Sequence, residues 1–203
     1  MKLIGMLDSP YVRRVAICMK LMKLGFAHEP ISVFRTYDQF AKINPVVKAP
    51  TLVADNGAIL MDSTVILQYM ATLAGPTPLF PTQADAALRA ARLTGLALAA
   101  CEKSVQIVYE RNLRPEDKQH EPWVERVRTQ LFAAYAELER ALGEAPLPDT
   151  QEQFTAADVA VAVAWQFTHM MLPQTVSRAD HPRLEKFAAF AESLPVFEDT
   201  PPE

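Results

Sequence analysis

Apolar and polar residues along the first third of the chain change period several times, and each change predicts a new element. Leu3, Ile4, Met6 and Leu7 make residues 2–7 a short strand-like run. From Pro10 to Leu24, apolar side chains recur at Val12, Val15, Ala16, Met19 and Met22, the period of a helix with one buried face. Ser9 stands at its cap, Pro10 at its first turn and Gly25 at its stop. Residues 30–33 read as a second strand, and a broken segment with room for a short helix runs from Phe34 to Ile43, closed by Asn44 and Pro45. Residues 51–54 and 58–61 are strand-like and flank Asp55, Asn56 and Gly57, a tight-hairpin signal. Ser63 then takes the cap position of a helix whose face carries Ile66, Leu67, Met70 and Leu73, with Gly75 as its stop. The predicted order is βαβ-α-ββα.

Past Gly75 the pattern changes. Pro76, Pro78 and Pro81 punctuate the chain, and no strand or hairpin signal follows. Helical periods cover residues 86–111, 122–142, 156–171 and 182–193, the second through Val124, Val127, Leu131, Leu138 and Leu142. Thr155 and Asp158 have the spacing of a capping box, and Phe154 and Val159 that of a hydrophobic staple. The aspartate is shorter than the usual glutamate, so ordinary one-way capping is expected. The fold class is α+β, with a mixed domain over residues 1–76, a linker over 77–85 and an all-helical bundle over 86–203. As a chain end, the tail beyond Phe197 is expected to be poorly ordered.

Composition narrows the functions. A chain of 203 residues suits one large domain or two small ones, and 50% hydrophobic with 22% charged residues describes a soluble globular protein. With 20 basic and 24 acidic side chains the net charge is −4, and there is no basic patch, which argues against a nucleic-acid partner. Asp8 interrupts the apolar start, and no run approaches the roughly 18 residues of a membrane span, so a cytoplasmic protein without a membrane partner is expected. Cys18 and Cys101 lie far apart in helical patterns and read as buried thiols, and the histidines lack ligand spacing, so no metal site is expected. The six glycines form no phosphate-binding loop, so no tightly bound nucleotide cofactor is expected.

The remaining candidate chemistry gathers around Ser9. Taken alone, Ser9 before Pro10 favours a simple helix cap. Four pieces of sequence add another reading: SPYVRR at the first helix start, NPVVKAPTLV at the third strand, DS at the next helix start and FTAADVAVA in the helical half. Together they resemble the cytosolic glutathione S-transferases, specifically a serine-type, theta-like or unclassified bacterial member, with a thioredoxin-like first domain. The resemblance implies glutathione as co-substrate, held as its thiolate. A free thiol has a pKa of about 8.5, and lowering it by about 2 units requires roughly 2.7 kcal/mol. One hydroxyl hydrogen bond to a charged acceptor contributes about 1.5–3 kcal/mol, and a helix amino end about 0.3–1 more. By resemblance, Ser9 donates that bond.

The resemblance also assigns Lys48 to the glycine carboxylate of glutathione, the backbone of Ala49 before a cis Pro50 to its cysteinyl part, and Asp62 and Ser63 to its γ-glutamyl end. For Asp62 and Ser63, helix capping is the alternative. The electrophile site is expected around Leu7 and Tyr109. Tyr11 is expected to pack, and Arg13 and Arg14 to form a solvated or domain-contact pair. Asp8 opposes thiolate formation unless it points away. The implied activity is transfer of glutathione to a small hydrophobic substrate, with homodimer assembly and a part in detoxification. Glutathione-dependent peroxidase, isomerase or lyase chemistry is one alternative, and a non-catalytic glutathione-binding or protein-interaction role is another.

Overall fold

In the computed structural model, which describes residues 1–202, β1 (Lys2–Ile4), β2 (Ala27–Glu29), β3 (Thr51–Val53) and β4 (Ile59–Met61) form one sheet. Its order is β2-β1-β3-β4. β2 runs parallel to β1, with Leu3 opposite His28, while β3 is antiparallel to β1, with Leu3 opposite Leu52. β4 returns antiparallel to β3. The expected turn between them forms with Gly57 at φ +83°, and Ala54 N–H bonds to Ala58 O at 2.9 Å. Central β1 is paired on both edges, and Leu3 and Ile4 are wholly buried.

The helices α1 (Pro10–Leu21) and α3 (Ser63–Ala74) pack against each other, burying Val12, Val15, Ala16 and Met19 from one and Ile66, Leu67 and Met70 from the other. A second cluster joins Ile4 and Ile31 to Phe40 of α2 (Tyr37–Ile43). The expected strand over 30–33 is replaced by β2 at Ala27–Glu29. Pro30 has no N–H for a ladder, and Ile31 turns into the core instead. Helix α1 also stops short of Leu24: Lys23 adopts φ +56°, and Leu24 N–H closes on Met19 O at 3.0 Å, so Gly25 is not the stop.

Four long helices follow: α4 (Ala84–Asn112), α5 (Glu121–Leu142), α6 (Ala156–Met171) and α7 (Pro182–Glu192). Between the first two lies a 3-10 turn at Glu116–Lys118. α4 packs on α5 and α6, and α6 on α7. α6 is buried from Ala156 through Trp165 because its alanines and valines leave no polar face, which makes it the central helix of the bundle. Its start corrects the expectation of one-way capping. Thr155 Oγ1 accepts from Asp158 N–H at 3.3 Å, and Asp158 accepts from Thr155 N–H at 2.8 Å, so the short aspartate closes a full box. Phe154 and Val159 are buried beside it.

The chain divides into two compact units, Met1–Pro81 with the chain from Ser193 on, and Thr82–Glu192. The last segment, read from sequence as part of the helical half, thus groups with the first unit. It carries a short α8 (Pro195–Glu198). Arg13 Nε donates to Thr200 O at 2.7 Å and Nη2 to Phe197 O at 3.4 Å, with its guanidinium 5.7 Å from the Phe197 ring centre. Lys20 Nζ donates to Asp199 O at 2.7 Å. Thr200 is buried and bonded to α1, so the expectation of a poorly ordered tail beyond Phe197 is wrong as far as Thr200, while Glu203 lies outside the described residues.

Candidate active site

Ser9 occupies the cap position of α1 in extended backbone, φ −72° and ψ 122°, with Pro10 at the first helical position. Its carbonyl opens the helix by accepting from Val12 and Arg13 N–H at 3.1 and 3.0 Å. Its hydroxyl makes no capping hydrogen bond. A half-buried serine at a helix start whose side chain is not engaged in capping leaves its O–H for another acceptor.

The segment facing β1 is fixed by Asn44, which is 2% exposed. Its Nδ2 donates to Thr51 Oγ1 at 2.8 Å and its Oδ1 accepts from Val46 N–H at 3.0 Å, while Thr51 Oγ1 donates to Lys48 O at 2.7 Å. These bonds hold both ends of the 45–50 turn, in which Val47 sits at φ +51°, a strained value for a β-branched residue. The turn ends in a cis Ala49–Pro50 bond. Lys48 is exposed, and among the described residues no backbone hydrogen bond engages Ala49. Gly5 lets this turn approach β1. A Cβ at Gly5 would lie 3.1 Å from Ala49 Cβ and 2.7 Å from Val12 Cγ2.

Asp62, not Ser63, caps α3. At φ +75° its Oδ1 accepts from Thr64 N–H at 2.9 Å and Val65 N–H at 3.4 Å. Ser63 is the first helical residue, 3% exposed, and its Oγ accepts from Arg14 Nη1 at 3.0 Å; the same nitrogen reaches Thr64 Oγ1 at 3.3 Å. Arg13 and Arg14 are both buried, so of the two expected alternatives the solvated pair is excluded. Arg13 is held by carbonyls of the last segment and Arg14 by hydroxyls at the start of α3. Contacts thus tie Gly5 to the 44–51 turn through Ala49 and to α1 through Val12, and α1 to the start of α3 through Arg14.

Leu7, in the first unit, is buried. Tyr109, on α4 in the second, is 44% exposed and lines a groove of about 390 Å³ with Gln106, Leu113, Arg114 and Trp123. Cys18 is unsuited to nucleophilic work, because burial pushes its thiol up to about 12, only partly opposed by the Arg14 charge. No cluster of three or more metal-ligating side chains occurs among the described residues, and no helix is long and apolar enough to cross a membrane. Sequence reasoning missed Gly5, Arg14 and Asn44 as parts of this region. Of these only Asn44, before Pro45, carried a local signal, that of a turn.

Residues 3–78 match the model of the glutathione S-transferase N-terminal domain, and residues 121–189 that of the glutathione S-transferase C-terminal domain. The "Uncharacterized GST-like protein YibF" of Escherichia coli (strain K12) is 26% identical over 204 residues, covering 100% of this chain and 98% of that protein. A glutathione S-transferase from Methylobacterium radiotolerans, crystallised with glutathione sulfonate, superposes with a TM-score of 0.89 at 29% identity, over 99% of this chain and 94% of the other. A glutathione transferase family member from Pseudomonas fluorescens Pf-5 with bound glutathione gives 0.86 at 29% identity, over 100% and 98%.

Proposed function

Since the chain belongs to the glutathione S-transferase family, we propose that it binds glutathione against the first unit and activates the sulfur through Ser9 for attack on a small hydrophobic electrophile. The observation that carries this reading is the Ser9 hydroxyl, which stands at a helix start and makes no capping bond there. A thiolate beside it accepts that O–H. The bond supplies about 1.5–3 kcal/mol, enough with the helix amino end to lower the thiol pKa by about 2 units. Binding of glutathione by the superposed Methylobacterium and Pseudomonas proteins supports the choice of co-substrate.

The other contacts follow from the chemistry of each group. Ala49 offers backbone N–H and C=O to the cysteinyl part of the tripeptide, as an added strand would. Lys48, exposed at the turn, meets the glycine carboxylate. Ser63 takes the γ-glutamyl carboxylate. Asp62 uses Oδ1 to cap α3, so its contact with the γ-glutamyl ammonium falls to its other oxygen. Tyr109, 44% exposed in its groove, supplies ring surface for the electrophile. With an aryl halide, the thiol proton leaves to solvent on ionisation, the new C–S bond forms, and the C–halogen bond breaks to release halide. The chain is proposed to act in the cytoplasm as a homodimer, for which light scattering should give the mass of two chains; the mass of one would refute the dimer.

The test compares wild type with Ser9→Ala by glutathione titration, thiolate absorbance in the ultraviolet and turnover of a generic aryl halide. The variant should bind glutathione but lose the thiolate signal and about 10- to 100-fold in turnover. Equal activity in the variant would remove Ser9 from its role. Binding in wild type with neither thiolate nor turnover would identify a non-catalytic member of the family.

A further inference from the structure

We infer that Arg14 is the positioning residue for the γ-glutamyl carboxylate, acting through Ser63; this rests on the glutathione reading above and deepens it. A guanidinium has donors and no acceptor, so in the 3.0 Å contact with Ser63 Oγ it is Arg14 that gives the proton. The hydroxyl must accept, and its own hydrogen is left to donate elsewhere. A hydroxyl that accepts from a cation is polarised and becomes a stronger donor. Arg14 therefore fixes both the direction and the strength of the bond that Ser63 can offer.

The surroundings of Ser63 agree. Asp62 Oδ1 already satisfies the N–H groups of Thr64 and Val65. Among the described residues no hydrogen bond engages the N–H of Ser63, nor does its hydroxyl bond to any group but Arg14. Ser63 thus presents two free donors, its N–H and its hydroxyl hydrogen, a match for a carboxylate. The same Nη1 reaches Thr64 Oγ1 at 3.3 Å, so one guanidinium nitrogen is shared by two successive hydroxyls of α3, at a reach one bond longer than a lysine side chain has. Both partners are buried, Arg14 at 3% exposure and Ser63 at 3%, so the alignment is not averaged by solvent.

The experiment measures dissociation constants, by calorimetry, for glutathione and for γ-aminobutyryl-cysteinyl-glycine, which keeps the amine and lacks the α-carboxylate. Arg14→Met should weaken glutathione roughly 10- to 100-fold and leave the analogue nearly unchanged. Arg14→Lys should lose part of the same selectivity. In a Ser63→Ala background the Arg14→Met effect should largely vanish, because the two residues act as one unit. A merely structural arginine would weaken both ligands alike, and that result, or an unchanged ratio in Arg14→Lys should Arg14→Met fail to fold, overturns the inference. Wild type that binds no glutathione would instead overturn the glutathione reading, and this inference with it.

Discussion

At Gly5 the backbone takes φ +136°, a region that side chains with a Cβ avoid, and a Cβ there would meet Val12 Cγ2 at 2.7 Å. Gly5→Ala should therefore cost about 2–4 kcal/mol, read as a lowered midpoint in urea unfolding, and should weaken glutathione binding because Ala49 is displaced with it. The sequence makes this residue look like part of a strand, since an isolated glycine in an apolar run gives no sign of which atoms approach it. Arg13 and Arg14 were illegible for a related reason. Two cations on a helix read as a solvated face because burying a charge is costly, and the acceptors that offset the cost lie far along the chain. Thr200 is 187 positions from Arg13 and Ser63 is 49 from Arg14. The proposed glutathione contacts at Ser9, Lys48, Asp62 and Ser63 were nameable because they sit in short local motifs; the shell that supports them is built from distant pairs.

Elements were most legible where local chemistry and tertiary packing agree. Residues 156–171 read as a helix and are one, because Thr155 and Asp158 mark its start and its apolar run is buried all round. The second strand and the end of α1 were misread, because Pro30 and Lys23 act through backbone conformation that apolar periodicity does not record. The box at α6 also carries a pH signature. Burial is the largest influence on Asp158 and raises its pKa above the ordinary 3.8, against the opposing hydrogen bonds from Thr155 and the more distant charge of Arg89. A carboxyl whose folded pKa exceeds its unfolded one favours the native state while protonated. Its contribution therefore falls as pH rises from about 3.8 through the raised folded value, and is level above that. Denaturant unfolding across this window should show wild type losing stability relative to Asp158→Asn. A difference independent of pH would contradict the assignment.

On the scale of the whole molecule, the first unit is assembled from two separated stretches, residues 1–81 and the segment from Ser193 on. Arg13 joins them through Thr200 O and Phe197 O, and Lys20 adds Asp199 O. Arg13→Ala strands the buried Thr200 carbonyl, while Phe197 O keeps Thr200 N–H, and removes the guanidinium from the Phe197 ring, at a cost of about 1–3 kcal/mol. Hydrogen exchange should then speed up in α1 and α8 while α6 keeps its protection. Uniform acceleration across both units would mean that Arg13 serves more than this junction. The division into a mixed and a helical half followed from where strand signals cease. The return of the last segment did not, because its anchors on α1 leave no mark in its own composition.

This closure dictates an order of events during translation. Arg13 leaves the ribosome before the carbonyls that receive it, which emerge only after every residue of the helical unit has been made. Until then α1 carries a cation whose final partners do not yet exist. The uninterrupted stretch Thr82–Glu192 is complete in the nascent chain before its discontinuous neighbour.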